Sequence, residues 1–407
     1  MEVNLPRSTR RVDSPTASAS SDDSATTPER SGRVPPVPAF IASSSEDEVK
    51  PLHWKPPNPY NVGFTFVARR HIPPEPFGAF YGKETRVNDI PKSWYTKYES
   101  QLDYCLSNPP RKGQTQNEMT ISLEITALIR HGSDIGSQLV VVNHDMVAKL
   151  FDPLYYEGID EYNSVNPVAY DADGDYSREA TAYIELQDSL EAKKCTPTFY
   201  GSWTVAIETP TRYGNMEVRE VRLILMEHLK GTLMADIENP RELDEILRTR
   251  IMRKVVESHD AILNARVSHC DLAPRNIFLN EKWEEGDCNL KIFDFNVSFL
   301  LRYKCDHLQR LERLGRQKYG NKRINPICEY WHALEDFVAY DWFESVEDMH
   351  AWLWRTFKDA DNYVPVFRRG EDPEERPRPE GWEELCKRAR NPSQDPEKAE
   401  EKIASKI

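Results

Sequence analysis

Apolar residues follow two rhythms along this chain. Over 121–129, 138–142 and 145–151 they alternate with polar residues or form short blocks rich in Val, Ile and Leu, which predicts strands. Over 176–190 they recur at helical spacing (Ala180, Tyr183, Ile184, Leu190), which predicts a helix. Strand-like stretches return at 199–207 and 218–226. After Gly231 a helical pattern runs over 242–264, and short strands follow at 277–279 and 290–293. A strand-rich first half and a helix-rich second half predict a two-lobed α+β arrangement.

The flanks read differently. Residues 91–107 place Trp94, Tyr98, Leu102 and Cys105 on one helix face, with Pro91 suited to the first turn. This predicts a packed extension over 60–119. Downstream, Met349, Trp352, Leu353 and Phe357 repeat at helical spacing, and a short helix is predicted at 382–390. Residues 1–59 form a Ser/Thr/Pro-rich tail, with 10 Ser, 4 Thr and 6 Pro in the first fifty. Such a segment buries too little surface to offset its ordering entropy, so it is expected to be disordered. Ser14-Pro15 and Thr27-Pro28 fit proline-directed phosphoacceptor sites, but ordinary Pro/Ser tail composition is the favoured reading. Residues 367–407 are charged and Pro-rich and are expected to be mostly disordered.

Charge removes several classes. The 407 residues carry 53 Lys plus Arg against 67 Asp plus Glu, a net charge of −14, which opposes attraction of the whole chain to nucleic acid or anionic lipid. No apolar run reaches the ~20 residues of a membrane helix, and the first residues lack the apolar core of a signal peptide. Seven Cys, an odd number without metal-type spacing, suit reduced thiols and a cytoplasmic or nuclear location.

The candidate chemistry sits in two runs. VSHCDLAPRNIFL over 267–279 places His269, Asp271 and Asn276 in the spacing H-x-D-L-x-x-x-N, and LKIFDFN over 290–296 adds Asp294 after an apolar strand. In this order, joined by strand, turn and strand, the two runs resemble the catalytic loop and D-F-G motif of the eukaryotic protein kinase-like superfamily, which includes aminoglycoside and choline phosphotransferases. The resemblance covers roughly 120–360. It implies a bilobal kinase-like fold with a β-rich N-lobe over 120–230 and a mainly helical, shortened C-lobe over 231–366. It further implies ATP and Mg2+ as cofactors.

Roles follow from the resemblance. Phosphoryl transfer is mostly positioning and charge neutralisation. Asp271 would accept the acceptor's proton, Asn276 and Asp294 would offer hard oxygens to magnesium, and His269 would fix the loop. MVAK over 146–149 looks like the strand whose Lys149 reaches the α- and β-phosphates. Glu179 would pair with that lysine, with Glu185 on the same helix as its rival. In LILMEHLKG over 223–231, Met226 would stand at the gatekeeper position, and backbone groups of Glu227 and Leu229 would meet adenine.

Several positions depart from the pattern. The phosphate-covering loop is RHGSDIGS over 130–137, where Gly132 and Gly136 leave free backbone N–H groups but Asp134 would face a triphosphate. Cys270 replaces the usual Arg. Asn296 replaces the Gly of D-F-G and would have to tolerate a positive φ. Ala273 and Arg275 resemble the tyrosine-kinase form of the loop. No A-P-E follows. The tract 301–323 holds eight Lys or Arg against Asp306 and Glu312, which fits a solvated basic helix or an anion-attracting patch.

The expected function is transfer of the ATP γ-phosphoryl to a hydroxyl of a protein or small-molecule acceptor. The alternative is a pseudokinase that binds nucleotide or scaffolds without turnover. A nucleic-acid-binding role for 301–323 runs against the acidic balance of the chain, and neither nucleic acid nor membrane is expected as a partner.

Overall fold

The computed structural model describes residues 54–81, 97–158, 166–320, 322–367 and 376–390. Ser14, Thr27 and Trp94 lie outside them. Six strands build the first half. They are β1 (Thr65–Ile72), then, after the short helix α1 (Gln101–Ser107), β2 (Gln114–Arg130), β3 (Gln138–Val142) and β4 (Met146–Phe151). Helices α2 (Val168–Leu186) and α3 (Leu190–Lys194) precede β5 (Phe199–Pro210) and β6 (Met216–Glu227). The strands close into an antiparallel barrel in the order β1-β2-β3-β4-β6-β5, with Arg69 opposite Thr204 where β1 meets β5.

The second half is mostly helical. The two-residue strand β7 (Thr232–Leu233) leads to α4 (Glu245–Asn264). Then come β8 (Val267–Ser268), β9 (Ile277–Leu279), β10 (Leu290–Ile292) and β11 (Phe299–Leu300). Helices α5 (Asp306–Tyr319), α6 (Pro326–Tyr330), α7 (Glu335–Ala339) and α8 (Val346–Phe357) follow, with the β12 (Val366–Phe367) and β13 (Arg378–Pro379) pair and α9 (Trp382–Arg390) last. The fold is mixed α+β. No helix among the described residues is long and apolar enough to cross a membrane, and all seven cysteines are free thiols.

Strand alternation divides the core in two. On β4, Ala148 and Leu150 point into the barrel with Leu123, Val140, Val205 and Leu223. Val147 and Phe151 point out and join a second core with Ile224 and Met226 of β6, Tyr176 and Tyr183 of α2, and Val255 and Ile262 of α4. Lys149 shares the outward face of Val147 and Phe151, so the period of the strand itself aims it at α2.

Several predicted boundaries shift. The segment expected as an extension over 60–119 supplies a barrel strand, β1, and the first residues of β2. Its polar run from Gln114 to Thr120 is exposed and is held by pairing with β1 rather than by burial. Within the helix expected over 91–107, Lys97 is helical, the helix breaks at 98–100, and it restarts as α1 at Gln101, with Ser100 extended (φ −150) and capping the Asp103 N–H; residues 91–96 lie outside the described set. The helix expected to start at 176 starts at Val168 and ends at Leu186, and Ser189 caps α3 separately. Asp244 caps α4, three residues into the expected span. The short helix expected at 382–390 within the C-terminal tail is α9, with the same bounds, and its Leu385 and Ala389 are buried against Leu314 of α5.

Candidate functional site

Lys149 is the centre of the site. Its Nζ lies 2.6 Å from Glu179 Oε2 on α2 and 2.6 Å from Asp294 Oδ1 just after β10, so three distant stretches of chain meet at one ammonium. Burial opposes the lysine's charge, yet the two carboxylates outweigh it and hold its pKa above the ordinary value. One cation cannot neutralise two anions equally. Burial pushes the fully enclosed Glu179 up to about 7 against the pull of Lys149. Asp294, more open to solvent, is held below the usual carboxylate range, because Lys149 overcomes its own burial cost. Glu185, the rival on the same helix, turns away to pair with Arg302.

Asp271 and Asn276 form the neighbouring pair. Asn276 Nδ2 donates to both the Asp271 carbonyl and its Oδ2, each at 2.8 Å. Arg275 takes the other carboxylate oxygen, Oδ1, and also bonds Asp336 at 2.9 Å. The Phe293 N–H donates to the Asn276 carbonyl at 3.0 Å, which sets Asn276 beside the residue preceding Asp294. His269 is buried, and burial lowers its pKa. Its Nδ1 accepts the Asp271 N–H at 3.3 Å, so Nε2 carries the proton and donates to the Phe293 carbonyl at 2.9 Å. The histidine therefore ties the loop to the 293–295 segment.

The left-handed residue of the second motif is Asp294 (φ 66) and not Asn296, so the departure at 296 meets no conformational demand. Phe295 turns inward instead. Its ring stands 5.1 Å from Tyr183 and 4.7 Å from His269, and Tyr183 stacks on Phe199 at 5.2 Å. A column of rings thus links β5, α2 and both motifs.

The turn between β2 and β3 carries Gly132 and Gly136, both at positive φ (154 and 77). Asp134 does not threaten an anion here, because Lys55 pairs with it at 2.6 Å. Asn58 bonds the Gly132 carbonyl at 3.3 Å and Gln138 Oε1 at 3.1 Å. Arg130 braces the base of the turn through Ser137 Oγ at 2.8 Å, and its charge helps keep Asp294 ionised. Met226 lies on the outward face of β6 with its sulfur 4.0 Å from the Tyr183 hydroxyl. Glu227 is tied to Thr198, its carboxylate accepting the N–H at 3.0 Å, and Leu229 is half-buried beyond the strand. Among the described residues no hydrogen bond or ion pair joins Gly132, Gly136, Met226, Glu227 or Leu229 to the charged centre.

The donor chemistry fits magnesium. Asn276 turns its amide nitrogen to Asp271 and so its oxygen the other way, and Asp294 offers a second hard oxygen. No group of three or more His, Cys, Asp or Glu side chains among the described residues forms a ready cage. A cavity of about 400 Å³ opens beside Asp271, lined in part by Ser268, Cys270, Tyr330 and Asp336. A larger one of about 800 Å³, against α4, contains none of these site residues. Convergent charge, rather than volume, marks the site.

Sequence reasoning missed the roles of Lys55, Asn58 and Arg130, and the direct bond from Arg275 to Asp271. The first two lie far from their partners in sequence and leave no local signal. Compared with known proteins, the chain matches no family model and no curated protein.

Proposed function

We propose that the chain is a kinase-like phosphotransferase that moves the γ-phosphoryl of ATP to a hydroxyl. Barrel and helical half would act as two lobes with the nucleotide between them. The observation that carries this reading is the meeting of Lys149, Glu179 and Asp294 next to the Asp271–Asn276 pair. Lys149 would leave Asp294 in part to bind the α- and β-phosphates, remaining anchored by Glu179. Magnesium, held by Asp294 and Asn276, would supply neutralising charge for the phosphate oxygens. The acceptor oxygen attacks phosphorus, the bond from phosphorus to the β–γ bridging oxygen breaks, ADP leaves, and the acceptor's proton passes to Asp271. Oδ1 of Asp271 would exchange Arg275 for that hydroxyl, while Asn276 keeps the carboxylate aimed through Oδ2.

A pseudokinase reading has one observation in its favour: both oxygens of Asp271 are already engaged. Melting temperature with and without millimolar Mg-ATP tests the reading. A ligand at a hundredfold excess over its Kd stabilises the folded state by ~2.7 kcal/mol. The expected result is a rise in the wild type that Asp294→Ala loses. No rise in either, with both folded, rejects the nucleotide site.

A further inference from the structure

A second network fixes Glu179 and Asp294 relative to each other, and it begins in a stretch that no motif touches. Arg178 precedes Glu179 on α2 and is nearly as buried, at 6% exposure. Its Nε donates to the Asn296 carbonyl at 2.5 Å, Nη1 to the Phe77 carbonyl at 2.6 Å and Nη2 to Asp175 Oδ1 at 2.6 Å. A guanidinium is a rigid plane, so three acceptors in its fork fix three segments together: helix α2, the residues just after Asp294, and the chain around 77.

That last segment is shaped to the arginine. Phe77 is buried, edge-on to Tyr170 at 5.0 Å, with the Arg111 guanidinium 3.6 Å from its ring centre. Gly78 adopts φ +74, and a Cβ there would stand 2.9 Å from Arg178 Nη1; one at Gly174 would stand 2.7 Å away. Neither position has room for a side chain while the arginine holds its place. The Tyr81 N–H bonds the Gly78 carbonyl at 2.9 Å, which turns the chain toward β11. There the Tyr81 hydroxyl accepts the Leu300 N–H at 3.0 Å, and its ring packs 4.9 Å from Phe299 and 5.4 Å from Tyr303. One short segment therefore grips the Asp294 stretch on both sides, at Asn296 through Arg178 and at Leu300 through Tyr81.

We propose that residues 77–81 are an intramolecular strap that, through the positioning residues Arg178 and Tyr81, holds the 294–300 segment against α2 and keeps the site assembled. The proposal deepens the nucleotide-site reading and rests on it. Loosening the strap lowers the fraction of molecules in the competent arrangement, and apparent affinity falls by that fraction.

Hydrogen exchange and Mg-ATP titration on the full chain test this with Arg178→Lys, which keeps charge but loses the fork, and Tyr81→Phe, which removes one hydroxyl. Amides 294–301 should exchange about tenfold faster in both variants, amides 140–150 and 221–226 should match the wild type, and Mg-ATP should bind about tenfold more weakly. Unchanged exchange over 294–301 in both overturns the strap. Faster exchange there with undiminished Mg-ATP affinity also overturns it, reducing the segment to packing. If Arg178→Lys loosens the whole chain, Tyr81→Phe decides by the same criteria. A wild type that fails to bind Mg-ATP defeats the nucleotide reading instead, and the exchange comparison then decides separately whether 77–81 holds 294–300.

Discussion

Lys149 serves two carboxylates with one charge, and the inequality between them has measurable consequences. In the folded chain Glu179 titrates near 7 against an ordinary 4.5, chiefly through burial. Between those values the folded state holds a proton that the unfolded state has released. The group's favourable contribution is therefore complete below about 4.5 and is lost as pH rises through 7. Glu179→Gln is neutral throughout, so its melting temperature relative to wild type should improve from pH 5 to pH 8. A constant difference would show that Lys149 fully pairs Glu179. Asp271 makes a separate prediction. On the proposed phosphotransferase reading, Asp271→Asn should lower phosphoryl transfer by about 10²–10⁴, the usual weight of a general base, while the Mg-ATP thermal shift persists. Retained transfer would remove Asp271 from that role.

At the scale of elements, the ring column makes α2 answerable for both motifs. Tyr183 is 1% exposed between Phe199 and Phe295. Its truncation leaves a cavity where three elements meet, so Tyr183→Ala should cost ~3–5 kcal/mol in urea unfolding. Tyr183→Phe should cost less than about 1 kcal/mol, since the hydroxyl only reaches the Met226 sulfur at 4.0 Å. The elements also separate what was legible from what was not. Asp271, Asn276 and Asp294 stood out because their spacing is local, carried by one turn and one hairpin. Strand β1 did not, because TFVARRHI exposes Val67 and Ile72 while it buries His71 and half-buries Arg69 and Arg70, and its β2 partners lie beyond residue 113. The choice between Glu179 and Glu185 needed the packing of α2, which buries Glu179 against Lys149 and leaves Glu185 to Arg302. Arg178 gave no signal at all, since two of its partners are backbone carbonyls, and every residue has one.

Across the whole molecule, the last described helix, α9, packs on the outside of α5. Leu385 and Ala389 cover Leu314, and Arg310 bonds the Ala389 carbonyl at 2.8 Å. Ending the chain after residue 375 should expose that face of α5. Burial of one leucine is worth ~1.5–3 kcal/mol, so the melting temperature should fall and amides 306–319 should exchange faster, with Mg-ATP binding retained. Loss of binding would place α9 within the working domain.

The barrel closes between its first strand and its fifth, where Arg69 meets Thr204. On a ribosome adding roughly 5–20 residues per second, β1 therefore waits on the order of ten seconds for its final neighbour. During that interval β2, β3 and β4 emerge and can pair in chain order, while the edge of β1 reserved for β5 stays open to other chains. Translation speed between these strands thus becomes a determinant of yield, and slowing it should favour aggregation over correctly closed protein.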